Sequence, residues 1–374
     1  MRIAFYAPLK PPTHATPSGD RRVARLLMDA LERAGQRIEL VSTFRSFDRD
    51  GDLARQQALR VQGESYAQRL IAQWRHAAPE LRPELWFTYH LYYKAPDWLG
   101  PAVAEALGIP YVIAEASYAP KRGGGPWDLG HDATADAVRR AALVICPSRA
   151  DIAGLKLLTD ESRLLHLPPF LDTAPYRDEM KNRTANRTRL AREHNLDPEA
   201  PWIVVAAMMR EGDKLASYRS LAASLARLAD IPWHLLIAGD GVARLQVEKL
   251  LPGARFFGTL DHRSLAQVYA ASDLSAWPAV NEAYGMALLE AQAAGVPVVS
   301  SATRGVPEVV LDGRTGLLAP AGDEAAFTER LRTLLVDPGR RRSLGRQAAD
   351  FVAAERSLDA AAQTLHRALT AARA

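Results

Sequence analysis

The stretch from Trp277 to Ser301, WPAVNEAYGMALLEAQAAGVPVVSS, limits the fold of this chain more than any other segment. Asn281 to Tyr284 is polar and irregular, Gly285 to Ala294 holds good helix formers, Gly295 stands where a helix C-terminus favours glycine, and Val296 to Val299 is short and apolar. The stretch therefore reads as a loop, a helix and a buried strand in quick succession, as in an α/β fold. Apart from Glu290 and Gln292, nearly every residue of the helix is apolar or small. A carboxylate among Ala287, Leu288, Leu289 and Ala291 is costly to bury unless something meets it. Glu282 lies eight residues earlier, just ahead of the helix. The helix start offers backbone N–H groups without intrahelical partners and the positive end of a dipole, a ready seat for phosphate. A ligand with a central diphosphate and hydroxyls at both ends suits this layout.

The same alternation runs through the rest of the 374 residues, a length that accommodates two domains. Arg2 to Ala7 predicts a strand, a proline-rich loop leads to Ser18-Gly19-Asp20, helical spacing runs from Arg21 through Leu31 to a cap at Gly35, and Ile38 to Val41 is the next strand. This is a Rossmann-like unit in which Gly19 lets a ligand approach the backbone, or serves a turn. Arg21 and Arg22 are candidates for an anionic acceptor or simply solvated. The strand Leu85 to Thr88 ends in Tyr89-His90, with Tyr92, Tyr93 and Trp98 behind it. Residues past the C-terminal end of such a strand face the binding crevice, and aromatic rings with an imidazole suit sugar recognition, so His90 is a candidate beside the ordinary reading of a structural histidine. Tyr111 to Ala114 leads into Glu115 and Ser117, two further polar candidates. Gly123 to Gly125 with Trp127 to His131 predicts a mobile loop over a cleft. Leu143 to Ile145 is a strand, Leu164 to Leu167 ends the first half, Pro168-Pro169 stops regular structure, and the polar run Thr173 to Ala200 predicts a linker with an outlying helix.

The second half restarts at the strand Trp202 to Ala206 and enters Met208-Met209-Arg210-Glu-Gly-Asp-Lys214. An arginine and a lysine in a strand-to-helix loop are placed to neutralise a leaving diphosphate, or they are solvated. The strands Trp233 to Ala238, Ala254 to Phe257 and Leu274 to Trp277 follow, the first turning at Gly239-Asp-Gly241 and the second at Gly258-Thr-Leu260. From Asp323 to Ala374 the composition is helical.

Glu282-Ala-Tyr-Gly-Met, then Leu289-Glu290-Ala, then Gly295-Val-Pro-Val-Val resembles the signature of retaining family-4 (group 1) glycosyltransferases of the GT-B fold. The resemblance covers most of the chain and is specific from about residue 202 to 322. It implies two Rossmann-like domains with parallel sheets facing across a cleft: an acceptor-binding domain over 1–170, a nucleotide-sugar donor-binding domain over 171–356, and a helix over 357–374 packing back on the first. It further implies that Glu282 contacts hydroxyls of the donor sugar, Glu290 holds the ribose, the amides of Ala283, Tyr284, Gly285 and Met286 hold the diphosphate, and Arg210 and Lys214 neutralise it. Gly19 would lie near the donor phosphates, Gly239 in the donor turn, and Gly258, Thr259 and Leu260 at the base, held through backbone groups. The pattern departs at Lys214, which no glycine follows, at Arg304-Gly305, where relatives commonly carry two glycines, and after Ala114, where they often carry a histidine and this chain offers Glu115 and Ser117. The implied reaction is sugar transfer, with retention, from a UDP- or GDP-linked donor to a glycan, lipid-linked or small-molecule acceptor, with no metal or other cofactor. Catalytic candidates are Glu282, Arg210, Lys214 and His90.

Two other readings fit the same residues: a GT-B-like nucleotide-sugar epimerase or hydrolase, and a non-catalytic sugar-nucleotide binding protein. The net charge of +4 is spread over both halves without a basic tail, which argues against a nucleic-acid partner. A single cysteine, Cys146, excludes an internal disulfide framework and predicts a buried structural thiol in a reducing cytoplasm. Asp48, Asp50 and Asp52 invite comparison with an EF-hand, which would need Gly at position 53 and Glu at position 59 where the chain has Leu53 and Leu59, so no metal site is expected. No apolar run reaches the roughly 18 residues of a membrane span. The Arg-rich helix after Asp52 either forms a solvated face or provides peripheral contact with an anionic membrane. Oligomeric state is not coded in any recognisable pattern.

Overall fold

A computed structural model describes residues 1–16 and 18–373 and divides the chain into two units, Met1–Pro168 with Leu358–Ala374, and Pro169–Ser357. The first unit contains strands β1 (Arg2–Tyr6), β2 (Arg37–Ser42), β3 (Leu85–Leu91), β4 (Tyr111–Ala116), β5 (Leu143–Cys146) and β6 (Leu164–His166). They form one sheet in the order β2-β1-β3-β4-β5-β6, and every pairing is parallel. The second unit contains β7 (Trp202–Ala206), β8 (His234–Ala238), β9 (Arg255–Gly258), β10 (Leu274–Trp277), β11 (Val298–Ala302) and β12 (Gly316–Pro320). Its sheet is also parallel throughout, ordered β12-β11-β10-β7-β8-β9.

Both orders contain a switch point. In the first unit the chain leaves β1 for β2 on one side and returns to place β3 on the other. In the second it runs β7, β8, β9 and then crosses back to lay β10 against β7. At such a point the loops beyond the carboxyl ends of neighbouring strands diverge to opposite faces and open a crevice, which is where ligands bind in open α/β sheets. The loops after β1 and β3, and those after β7 and β10, are therefore the two places where side chains can converge.

Several boundaries differ from the sequence expectation. β3 continues to Leu91 and β4 to Ala116, so His90 and Glu115 lie within strand ends rather than beyond them, each at a left-handed φ of 63°. Asp128 to His131 is the first turn of the helix Asp128–Arg140, not part of a mobile loop, and Asp128 fastens it by accepting the Gly124 N–H. The polar run after Thr173 holds two helices, Ala174–Lys181 and Arg183–His194. Its arginines are tethers: Arg183 and Arg187 ion-pair with Asp273 at 2.8 and 2.9 Å and donate to the carbonyls of Ala270, Ala271 and Ser272. β11 starts at Val298, two residues later than the apolar pattern suggests.

The helix Leu358–Arg373 packs on the helix Gly19–Arg33 within the first unit, with Arg33 bonded to Asp359 at 2.8 Å. The helix Leu53–His76 buries Ala67, Ile71 and Trp74 and exposes its arginine-bearing side. Among the described residues no helix is long and apolar enough to cross a membrane.

Beneath the end of β3, Asp97 is buried and accepts from Thr88 Oγ1, the Tyr111 hydroxyl and the backbone N–H groups of Leu99 and Gly100, the last three at 2.8 to 3.0 Å. Burial pushes its carboxyl above the ordinary range, although each of these donors pulls the other way. Replacing Asp97 by Ala should leave four buried donors without their acceptor and cost about 3 kcal/mol. Chemical denaturation of the variant checks this, and a loss below ~1 kcal/mol would show that the network does not anchor β3.

Candidate functional site

In the second unit, the loop after β7 ends in a helix, Asp213–Ala226, whose first turn carries Lys214, and the loop after β10 carries Glu282. The two loops flank the switch point, and Lys214 Nζ ion-pairs with the Glu282 carboxylate while lying 5.3 Å over the Trp277 ring. Both side chains are about four-fifths buried, at 23% and 19% exposure, so the pair sits in a recess that water only partly screens.

The Glu282 loop is held on three sides. Ser217 Oγ accepts from the Val280 N–H, Asp213 accepts from the Asn281 amide, and Asn281 in turn accepts from Arg304. Asn281 and Arg304 both occupy the left-handed region, with φ of 55° and 42°, a conformation that costs non-glycine residues free energy and is common at ligand sites. Arg304 thus adopts with strain the backbone form that glycine would adopt freely. Gly305 cannot be replaced in kind, since a Cβ there would stand 1.8 Å from the Ala283 carbonyl oxygen. The loop after β11 is pressed against the Ala283–Tyr284 backbone.

Beyond that loop the helix Met286–Ala293 begins at Gly285, itself left-handed with φ of 75°, and among the described residues no side-chain hydrogen bond caps it. The Leu288 N–H donates to the Gly285 carbonyl at 2.8 Å, while those of Met286 and Ala287 lack the usual capping oxygen among the described residues and are available to an anion. Glu290 is buried on the same helix at 3% exposure. Gln292, the other polar residue, is engaged structurally, donating to the carbonyls of Leu288 and Val309.

Other sequence candidates fall nearby with different roles. Arg210 is exposed; its carbonyl accepts the Leu215 N–H, and among the described residues its guanidinium makes no hydrogen bond or ion pair, so it can meet a ligand. A Cβ at Gly239 would lie 2.0 Å from the Ala207 carbonyl oxygen, and the Gly239 N–H donates to the Gly258 carbonyl at 2.7 Å. Those two backbone groups are engaged with each other, and Gly239 serves the close packing of two loops. Thr259 is exposed and Leu260 half-buried.

In the first unit, Gly19 opens a helix capped by Ser18, and a Cβ there would meet nothing within 4 Å, so the approach to this helix start is open. The neighbour that matters is Asp20. Its carboxylate lies 3.2 Å from His90 Nδ1, and Glu115 lies 3.6 Å from the same nitrogen. The Asp20 contact does not meet hydrogen-bond geometry, and it is an ion pair whenever the ring is protonated. Burial pushes the His90 imidazole down, but Glu115 and Asp20 together push it further up, and the net shift is upward; the imidazole in turn holds Asp20 below the usual carboxylate range. Burial raises the Tyr92 hydroxyl to about 12. Arg21 donates to the Ala15 carbonyl, Arg22 is half-buried, and Ser117 is exposed with its N–H on the Leu91 carbonyl. Cys146 is buried, which raises its thiol to about 12 and leaves it without nucleophilic character.

Asp20 and Asp213 were not singled out from the sequence, and Arg304 stood out there only as a departure from a pair of glycines. Asp20 and Asp213 each stand immediately after a glycine at a helix start, which is the one signal that could have found them.

Residues 200–337 match the family model described as Glycosyl transferases group 1. That match covers a little over a third of the chain, the stretch that carries the Glu282 loop and the helix behind it. Over 284 residues, the chain is 29% identical to a D-inositol 3-phosphate glycosyltransferase of Xylanimonas cellulosilytica, covering 70% of this chain and 67% of the relative. Over 161 residues it is 34% identical to a sulfoquinovosyl transferase of Arabidopsis thaliana, covering 41% of this chain and 30% of that one, so it spans under a third of the plant relative's length. Among solved structures, sucrose-phosphate synthase of Thermosynechococcus elongatus shares the fold with a TM-score of 0.69 at 21% identity, 99% of each chain being covered. HepE of Anabaena, in complex with UDP and glucose, superposes with a TM-score of 0.68 at 16% identity, over 98% of this chain and 99% of that one. The two parallel-sheet halves of the chain are the GT-B fold.

Because its neighbours raise His90 above the ~6.5 of an unfolded histidine, its ion pairs stabilise the fold fully below about pH 6.5 and fade as pH rises through the raised value. The difference in melting temperature between the parent and His90→Gln should therefore be larger near pH 5.5 than near pH 9. A difference independent of pH would show that the imidazole is not charged beside Asp20 and Glu115.

Proposed function

We propose that this protein is a retaining glycosyltransferase that moves a sugar from a nucleoside-diphosphate donor to an acceptor hydroxyl. The observation that carries this reading is the Lys214–Glu282 pair at the second switch point, beside a helix start that no side chain caps. A carboxylate held by a cation offers acceptor oxygens to sugar hydroxyls. The cation and the uncapped N–H groups offer donors to a diphosphate, and the two functions lie within one ligand's length. Glu290 holds the ribose, and Arg210 closes on the phosphates when the donor arrives. Structures of HepE described in complex with UDP and with UDP-glucose support a uridine donor, with a GDP-linked donor as the alternative.

In this reading the acceptor oxygen attacks the anomeric carbon from the face the leaving group departs. The bond to the β-phosphate oxygen breaks, and that oxygen takes the acceptor's proton. No side chain needs to act as a nucleophile. Lys214, Arg210 and the amides from Ala283 to Met286 stabilise the charge that develops on the phosphate, so a metal ion has no necessary part. His90 orients hydroxyls from the first unit. The acceptor class stays broad, as glycan, lipid-linked or small molecule, since the relatives' names differ on this point. The enzyme works at the cytoplasmic side, free or at the membrane face.

Thermal unfolding with UDP, GDP and ADP, each with and without EDTA, tests the donor site. At a hundred times the dissociation constant the right nucleotide should add about 2.7 kcal/mol, and the added stability should persist in EDTA. No shift with any of the three would remove residues 282–290 as a nucleotide site.

Replacing Arg210 by Ala should lower kcat about a hundredfold with little change in KM for the donor. An unchanged kcat would take Arg210 out of the reaction.

A further inference from the structure

On the first turn of the helix Asp128–Arg140, away from both switch points in sequence and role, Asp128, His131 and Asp132 present one ligand atom each, all within 4.8 Å of one another. Their spacing of three and four residues puts the three side chains on one face of the helix. An acidic pair at a helix start has an ordinary explanation, since it favours the positive end of the dipole. His131 does not share that explanation. It is 94% buried if its 6% exposure is taken from the whole, and its two ring nitrogens are treated differently by the fold. Nε2 lies 3.2 Å from the Ala119 carbonyl oxygen, a partner that only an N–H can serve, so the proton sits on Nε2. Nδ1 then carries a lone pair, is enclosed, has no hydrogen-bond partner, and points toward Asp132, whose carboxylate is 3.8 Å away.

A buried nitrogen lone pair without a donor is unfavourable, and a cation held between it and the nearby carboxylate would relieve it. The remaining surroundings match what metal-binding histidines show. The second nitrogen is fixed by a backbone carbonyl, which sets tautomer and ring direction. The ring is stacked on Tyr118 with centroids 4.8 Å apart and an interplanar angle of 24°. Gly123 borders the ring at its Nδ1 edge, where an added Cβ would stand 3.5 Å from Cε1 and 3.7 Å from Nδ1. Asp128 already accepts the Gly124 N–H at 2.6 Å through Oδ1, which leaves Oδ2 for a ligand. Asp132 is 80% exposed and can swing the remaining distance at little cost.

We propose that Asp128, His131 and Asp132 form a binding site for a first-row divalent cation, Mn²⁺ or Zn²⁺, which ties this helix to the glycine-rich turn 123–125. One imidazole nitrogen and two carboxylate oxygens are a donor set for such ions rather than for Mg²⁺ or Ca²⁺, which take oxygen alone. Two full negative charges outweigh the roughly half positive charge of the helix start. Water completes the coordination on the solvent side. The site is structural and independent of the sugar-transfer reading, which assigns no metal to the chemistry.

The full chain, stripped with EDTA and dialysed, is titrated separately with MnCl₂, ZnCl₂ and MgCl₂. Calorimetry reads stoichiometry, the Mn²⁺ electron paramagnetic resonance signal reads free ion, and no nucleotide is present. The expected result is one equivalent of Mn²⁺ or Zn²⁺ per chain, binding tighter than Mg²⁺, and weakened about tenfold or more in both His131→Gln and Asp132→Asn. Asp132 is exposed, so its variant folds whatever happens at the buried histidine, and it decides the matter if His131→Gln does not fold. Absence of a saturable equivalent overturns the site, as does binding that Asp132→Asn leaves unchanged. Because the readout is the metal alone, failure here leaves the nucleotide test of the donor site untouched.

Discussion

Two strands laid on either side of an earlier one determine where this molecule can do chemistry. When β10 returns to lie against β7, the loops that leave their carboxyl ends must part, and the space between them is closed to backbone but open to side chains. Lys214 and Glu282 fill it, and the first sheet repeats the arrangement at β1 and β3 with Asp20 and His90. Each unit therefore brings a cation and a carboxylate together at the one point of its sheet where ligands are most readily admitted. The chemical characters differ: one cation is an ammonium, the other an imidazole whose proton affinity Glu115 and Asp20 raise.

The strand frame was readable because parallel strands, buried on both faces, are written as short apolar runs, and ten of the observed strands coincide in position with such runs once boundaries shift by a few residues. Backbone conformation was not readable where it mattered. Nothing in Tyr89-His90-Leu91 or Ala114-Glu115-Ala116 marks φ of 63° at the middle residue, yet those strand ends bring His90 to Asp20 and Glu115 to His90. The arginines of residues 183–187 misled for a related reason. Charge in sequence suggests solvent, but here it faces the end carbonyls of a helix and a carboxylate, partners that composition cannot reveal.

Glycines separate into two kinds once their surroundings are known. Gly239 and Gly305 are fixed by neighbouring carbonyl oxygens and govern how loops lie on one another. Gly285 instead combines a left-handed backbone with the start of a helix, so it shapes a place for an incoming group. A motif read from sequence alone gives these positions the same weight, because the letter is the same and only the obstruction around a missing Cβ tells them apart.

The first unit is discontinuous, with residues 169–357 inserted before its last helix, Leu358–Arg373. During synthesis, the face of the helix Gly19–Arg33 that this last helix covers stays bare while the whole second unit is being made. The early half of the chain must wait for the final stretch before its core is sealed. A nascent or truncated chain that stops near residue 357 would expose an apolar helix face to chaperones and proteases even with every sheet strand in place.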